Sequence, residues 1–362
     1  MKANLNLGKY YGTEVQIHWT FFLLIAWIVF SEILSGSSTD RILFNLQFIL
    51  AVMICVLLHE LGHLLAAKRF GVKTKKMVLL PIGGISTVDN TTESPKVEFL
   101  ITLAGPLVNI IIAIVLFFVI PVRDYISFNL GEYFTALNDF SVRTFLFFLF
   151  IVNVALAVFN MIPAFPLDGG RILRALLDVK FTRVKATFLA TRISNVIAIV
   201  LLLIGLLFNP ILVFLSLFLL IGSFSENRIV HQMGLLKGHQ VREAMLKNIT
   251  VFDPEDTMEA IVKVILTGSE TNFVVVSDKK IVGLLYHKDI IQNSHKRTLL
   301  VRDFMTVDFK TIKAREGLSV AYRLLQDEPH PFLPVTENDE LVGAINFANL
   351  HEFLLMEDKL KH

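Results

Sequence analysis

Three residues within "LLHELGHLLAAKRF", 57–70, have types and spacing that could do chemistry together: His59, Glu60 and His63. Two histidines four positions apart on a helix share one face, about 6 Å apart along the axis, which suits two ligands of one metal ion. Glu60 cannot share that face fully. It can lean toward an open coordination position and take a proton from an activated water, the work of a general base in metal-assisted hydrolysis. The setting strengthens this reading. The run from Leu43 to this stretch is apolar, and ionisable groups are expensive there without a partner.

Two histidines leave a zinc ion under-coordinated, so a third ligand is expected elsewhere in the chain. The candidate is Asp168, in "FNMIPAFPLDGGRILRAL", 159–176. Pro163, Pro166, Gly169 and Gly170 must interrupt a helix there. Irregular backbone at membrane depth survives only where protein or a cavity covers it. An acidic side chain in such a break can be aimed without helical constraint. Asn160 either caps the preceding helix or hydrogen-bonds to substrate backbone or to the metal region. Cys55, one turn before His59, reads as a small packing residue rather than a fourth ligand.

The elements that must position these residues are read from hydropathy. Of 362 residues, 54% are hydrophobic and 18% are charged, against roughly 25% charged in ordinary soluble domains. Six apolar stretches, at about 16–34, 43–67, 97–121, 143–163, 187–208 and 210–224, come close to the roughly 20 residues that a membrane-crossing helix needs. The residues before Gln16 lack the charged-then-apolar pattern of a cleavable signal peptide, so the first stretch is expected to stay. Lys68, Arg69, Lys73, Lys75 and Lys76 follow the second stretch, and Arg171, Arg174, Lys180, Arg183 and Lys185 follow the fourth. The opposite loops offer only Arg41, Arg123 and Arg143 among acidic neighbours. The excess predicts a cell-membrane protein with both termini cytoplasmic. The net charge of +2 gives no sign of a nucleic-acid partner, and the single cysteine excludes an internal disulfide.

Between the second and third stretches lies "KKMVLLPIGGIST", 75–87, partly β-branched and punctuated by Gly83 and Gly84. It could be a re-entrant loop that fills a gap. The favoured reading is a strand edge that pairs with an unwound substrate, because a helical substrate must expose its backbone before hydrolysis.

From about residue 239 the chain repeats itself at a constant offset of 60. "VREAM" at 241–245 matches "VRDFM" at 301–305, and "KIVGLLYHKDI" at 280–290 matches "ELVGAINFANL" at 340–350. A gapless repeat of strand, helix, strand, strand and helix predicts a tandem α/β unit packed as a pseudo-dimer. The halves, about 239–298 and 299–360, resemble a pair of CBS domains, a resemblance that implies an adenine nucleotide such as ATP or AMP between them. The residues that the resemblance assigns to the ribose position are Asp289 and Asn349. Tyr286 and Asn346 stand where that family has Ser or Thr, which leaves a dimerising or docking role open beside nucleotide sensing.

The N-terminal part resembles the site-2 protease family of intramembrane zinc metalloproteases. The resemblance is carried by His59, Glu60 and His63, by the 160–170 segment with Asp168, and by "AGPLVN" at 104–109, whose Gly105 and Asn109 keep the spacing of that family's third core span. It implies a multi-pass α-helical membrane domain over 1–225, a linker at 226–238 and the CBS pair over 239–360. It also implies one zinc ion per chain, transmembrane protein substrates cut near the cytoplasmic face, and release of a regulatory fragment. Gly105, Asn109, Asn160, Gly83 and Gly84 become supporting residues around the substrate, and the CBS pair could join two chains into a homodimer. Two rivals remain: a CBS-regulated transporter or channel, and a catalytically inactive membrane adaptor. The first does not explain a carboxylate in a broken helix at the depth of the histidines. The second does not explain why every presumed catalytic position is filled.

Overall fold

The computed structural model describes residues 4–10, 12–72, 74–80, 83–88, 94–121, 141–268 and 270–360. The chain forms two compact units, Met1–Arg228 and Ile229–His362.

The first unit opens with strands that hydropathy did not reveal. β1 (Asn4–Tyr10) and β2 (Thr13–His18) pair antiparallel, and β2 runs parallel to β3 (Thr74–Leu80), which pairs antiparallel with β4 (Gly83–Val88). The order β1-β2-β3-β4 leaves β4 at an edge of the sheet. Alternation supplies the inner face: Val15, Met77 and Leu79 are buried and pack with Leu57, Leu61 and Leu64 of α2 (Thr39–Arg69). Those leucines recur at helical spacing, so the sheet is seated on the helix that carries the histidines.

Because β2 takes residues to His18, the first apolar helix, α1 (Thr20–Leu34), is shorter than the expected 16–34 span. Its 15 residues make about 22 Å of helix, against a hydrocarbon core of about 30 Å. Among the described residues five others are long and apolar enough to cross a bilayer: α2, α3 (Pro95–Val119), α4 (Val142–Asn160), α6 (Arg183–Phe208) and α7 (Pro210–Leu236). Their ends carry the expected signals. Ser38 accepts a hydrogen bond from the Arg41 N–H at 3.4 Å, with Asp40 in the first turn of α2 and Lys68 and Arg69 in its last. Ser141 accepts from the Thr144 N–H at 3.3 Å to start α4. Large apolar side chains such as Phe118, Leu207, Phe208, Ile211 and Phe214 stay exposed on these helices, as lipid-facing residues do.

Between α4 and α6 the chain breaks where the prolines and glycines demand it, then resumes as the short helix α5 (Asp168–Asp178). The break is covered rather than open: Ala164 and Phe165 are fully buried, and the Phe165 N–H donates to Ser194 Oγ of α6 at 2.9 Å. The segment 226–238, expected as a linker, is helical to Leu236 as the end of α7.

The second unit repeats one motif twice. Strands Val251–Phe252, Phe273–Ser277 and Lys280–Leu285 form one three-stranded sheet, and Ile312–Lys313, Phe332–Glu337 and Glu340–Asn346 form the other. Helices Met258–Thr267 and Leu318–Asp327 occupy equivalent places. The halves exchange edges symmetrically. Leu246 of the first pairs with Ala344 of the second, and Thr306 of the second pairs with Leu284 of the first. The first contact needs a glycine, because a Cβ on Gly343 would overlap the Leu246 carbonyl, whereas one on Gly283 would meet the flexible Met305 side chain, 2.7 Å from its Sδ. Leu235 and Leu236, at the end of α7, join the core around Val241, Leu318 and Leu350.

Candidate metal centre

His59 and His63 project from α2 onto α3, and the space between the two helices is made by the absence of a side chain. A Cβ on Gly105 would overlap His63 Nε2 and sit 2.7 Å from His59 Nε2. The chain break then delivers Asp168 as the first residue of α5. Its Oδ2 lies 3.2 Å from His59 Nε2 and 3.3 Å from His63 Nε2, and the two imidazole nitrogens are 3.2 Å apart. Among the described residues this is the one cluster of three or more potential metal ligands.

The donor set fits zinc. Bonds of roughly 2.0–2.1 Å in a tetrahedral site place neighbouring ligand atoms about 3.3 Å apart, which is the spacing of these three atoms. The outer imidazole nitrogens are also engaged. His63 Nδ1 is 2.8 Å from the Ile101 carbonyl, which can only accept, so Nδ1 donates and Nε2 offers a lone pair. His59 Nδ1 lies 2.6 Å from Asn109 Oδ1. With both imidazoles neutral, lone pairs and a carboxylate converging at such distances repel one another unless a metal cation or a shared proton sits among them.

Glu60 is buried beside His59 on α2. Asn160 is half-buried as the last residue of α4, ahead of the break. Gly83 and Gly84 begin the edge strand β4, opposite Leu80 and Leu79. Asp289 and Asn349 belong to the second unit, in the first turns of helices His287–Asn293 and Phe347–Leu360. The Asn349 N–H donates to Asn346 Oδ1 at 3.0 Å, so Asn346 caps the helix on which Asn349 stands.

The profile of peptidase family M50 matches residues 47–207, which contain His59, His63 and Asp168. The CBS-domain profile matches residues 241–296 and 301–355. A zinc metalloprotease of Methanocaldococcus jannaschii is 36% identical over 351 residues, an alignment covering 97% of this chain and 96% of that protein. The chain belongs to peptidase family M50. It is a membrane zinc metalloendopeptidase of the site-2 protease type, followed by a tandem CBS domain. Stage IV sporulation protein FB of Bacillus subtilis is 28% identical over 182 residues, covering 50% of this chain and 54% of that one. The solved structure of the site-2 protease from Methanocaldococcus jannaschii has 37% identity and a TM-score of 0.46, covering 62% of this chain and 95% of its own.

Two features of the protease around this centre carry no sequence signal. One is Asn153 on α4, fully buried and hydrogen-bonded at 3.0 Å to Asn109. The other is an ion-pair network that fixes α5. Arg174, buried on α5, pairs with Glu98 of α3 and Glu226 of α7, and stacks over Phe165 at 5.3 Å. Arg183 adds bonds of 2.7 Å to Glu98 and 3.3 Å to Asp178. Sequence reading counts Arg174 and Arg183 as loop charges, yet the fold engages both with carboxylates.

Proposed function

We propose that the chain is an intramembrane endopeptidase that cuts transmembrane or membrane-associated proteins near the cytoplasmic face, with His59, His63 and Asp168 as its zinc ligands. The observation that carries this reading is the meeting of three donor atoms 3.2–3.3 Å apart beside a buried glutamate. When bound there, zinc supplies Lewis acidity toward water and the scissile carbonyl. Glu60 takes the proton of the attacking water and passes it to the leaving amine. The edge strand β4, opened by Gly83 and Gly84, is read as the edge to which an unwound substrate segment adds a strand. Asn160 and Asn109 are read as supporting residues, Asn109 through its contact with His59 Nδ1.

The basic residues after α2 and α4 favour cytoplasmic termini. The CBS pair is read as a regulatory module that takes an adenine nucleotide, with Asp289 and Asn349 at the ribose, and as a surface through which two chains could join.

Reconstituting the purified protein in liposomes with a transmembrane reporter tests the reading. The wild-type chain should cleave the reporter. Glu60→Gln should not, while retaining about one zinc per chain, since Glu60 is read as a base and not a ligand. Cleavage by Glu60→Gln refutes the mechanism, and ion flux without cleavage favours a channel.

A further inference from the structure

Asn153 is fully buried in α4, and no step of the hydrolytic reading uses it. Its environment nevertheless fixes the direction of a hydrogen-bond chain that ends on a proposed zinc ligand. The Leu149 carbonyl lies 2.8 Å from one end of the Asn153 amide. A carbonyl can only accept, so that end is Nδ2. The same nitrogen donates its second hydrogen to Cys55 Sγ at 3.3 Å. Asn153 Oδ1 therefore faces Asn109, 3.0 Å away, and Asn109 must turn its own Nδ2 toward that oxygen. This leaves Asn109 Oδ1 for His59 Nδ1 at 2.6 Å. An oxygen without a hydrogen requires that Nδ1 carry the proton. In a neutral imidazole Nε2 then holds the lone pair, and Nε2 is the atom that faces Asp168 and His63.

We propose that Asn153 is a positioning residue that, through Asn109, holds His59 in the tautomer whose Nε2 can bind a metal. The proposal rests on the reading of His59, His63 and Asp168 as zinc ligands.

Asn109 alone could not impose this choice. A carboxamide presents an acceptor one way and a donor the other, and a flipped Asn109 would direct its NH2 at His59 Nδ1. That would favour the tautomer with a proton on Nε2, which blocks the metal. With Asn153 in place, the flip sets two fully buried oxygens against each other, each losing its hydrogen-bond donor. His63 needs no such arrangement, because its Nδ1 meets the Ile101 carbonyl directly. One imidazole is keyed by one backbone acceptor. The other is keyed by two asparagines, the second of which donates to the Leu149 carbonyl.

Zinc affinity of the purified full chain, measured by competition with a chelator of known affinity, tests the proposal. Outer hydrogen-bond partners typically contribute about 10–100-fold to metal affinity. Asn109→Ala should fall in that range, and Asn153→Ala near its lower end. If Asn153 acts through Asn109, adding Asn153→Ala to Asn109→Ala should cost nothing further. A packing role would instead cost the same in both backgrounds, which overturns the proposal. Nitrogen-15 spectra of histidine-labelled, zinc-free protein give a second readout: His59 should carry its proton on Nδ1 in the wild type and become a mixture of tautomers in Asn153→Ala. Asn153→Leu fills nearly the same volume and serves if the alanine variant does not fold. A wild-type chain that binds no zinc overturns the metal reading and the proposal with it. Tight wild-type binding with unchanged affinity and tautomer in the Asn153 variants overturns the positioning role alone.

Discussion

The imidazole of His63 occupies the place that a side chain on Gly105 would need, so α3 approaches α2 through a residue with no Cβ. Overpacking by one methyl in a close-packed site costs about 1–3 kcal/mol. Here the neighbours that must give way are the two imidazoles. Gly105→Ala should therefore weaken zinc binding by about one to two powers of ten, since each factor of ten is about 1.4 kcal/mol. Chelator competition reads this directly, and an unchanged affinity would show that the imidazoles move aside without consequence.

Asp168 has two readings, and its place in the fold separates them. It is the first residue of α5, while the N-cap position belongs to Leu167, and no side-chain cap bond forms there. A capping aspartate would lose about 1 kcal/mol of stability on substitution and leave zinc in place. As a ligand, Asp168→Asn should lower zinc content and cleavage together while leaving the thermal midpoint of the zinc-free protein nearly unchanged. Metal analysis of the purified variant beside its melting curve distinguishes the two.

α5 is held in its second half by Arg174, which lies buried between Glu98 and Glu226. Removing one partner of a buried ion pair typically costs about 3–5 kcal/mol, because the remaining charge is left without compensation. Arg174→Met should destabilise the protein on that scale. Glu98 keeps Arg183, so the damage should concentrate on Glu226. Adding Glu226→Gln should recover part of the loss, as seen in the thermal midpoint of the detergent-solubilised chain. No recovery would mean that the glutamate finds another partner once Arg174 is gone.

Legibility in the sequence followed how local each signal was. His59, Glu60 and His63 announce themselves because helical spacing alone puts two imidazoles on one face. Asp168 was found through the prolines and glycines that break the chain around it. The repeat at offset 60 was visible in identities, and the pairing of Leu246 with Ala344 and of Leu284 with Thr306 is its spatial form. By contrast, β1 and β2 are carried only by the short alternations of Leu5 with Leu7 and of Val15 with Ile17 between polar residues, too brief to stand out beside the apolar span that follows. Asn153, Glu98 and Arg174 were invisible for a stronger reason: their partners lie 44 and 76 residues away in the chain. Only the folded helices bring those residues together.

In the CBS pair, Asp289 and Tyr286 stand at one helix start. Tyr286 is buried, stacks on His330 with ring centroids 4.4 Å apart, and fills the position where a small hydroxyl residue is usual in the resembling family. Burial, with Glu328, Asp289 and Asp308 near, holds its phenol above the usual range, so the ring stays neutral at physiological pH. Those carboxylates oppose a triphosphate more than a monophosphate, and AMP should bind better than ATP in the absence of magnesium. A ligand that binds only the folded state stabilises it by about 2.7 kcal/mol at a hundred times its dissociation constant. AMP should thus raise the melting temperature of the full chain in a concentration-dependent way, and Asp289→Ala should abolish the rise. Tyr286→Thr, which removes the bulky ring and restores a hydroxyl, should enlarge it. Any effect on cleavage further requires that AMP bind the active and inactive arrangements unequally, because equal affinity shifts nothing. Reporter cleavage with and without AMP, in wild type and Asp289→Ala, therefore separates a sensor from a module that merely binds. No thermal shift up to millimolar AMP would leave the pair as a surface for dimerisation or substrate docking.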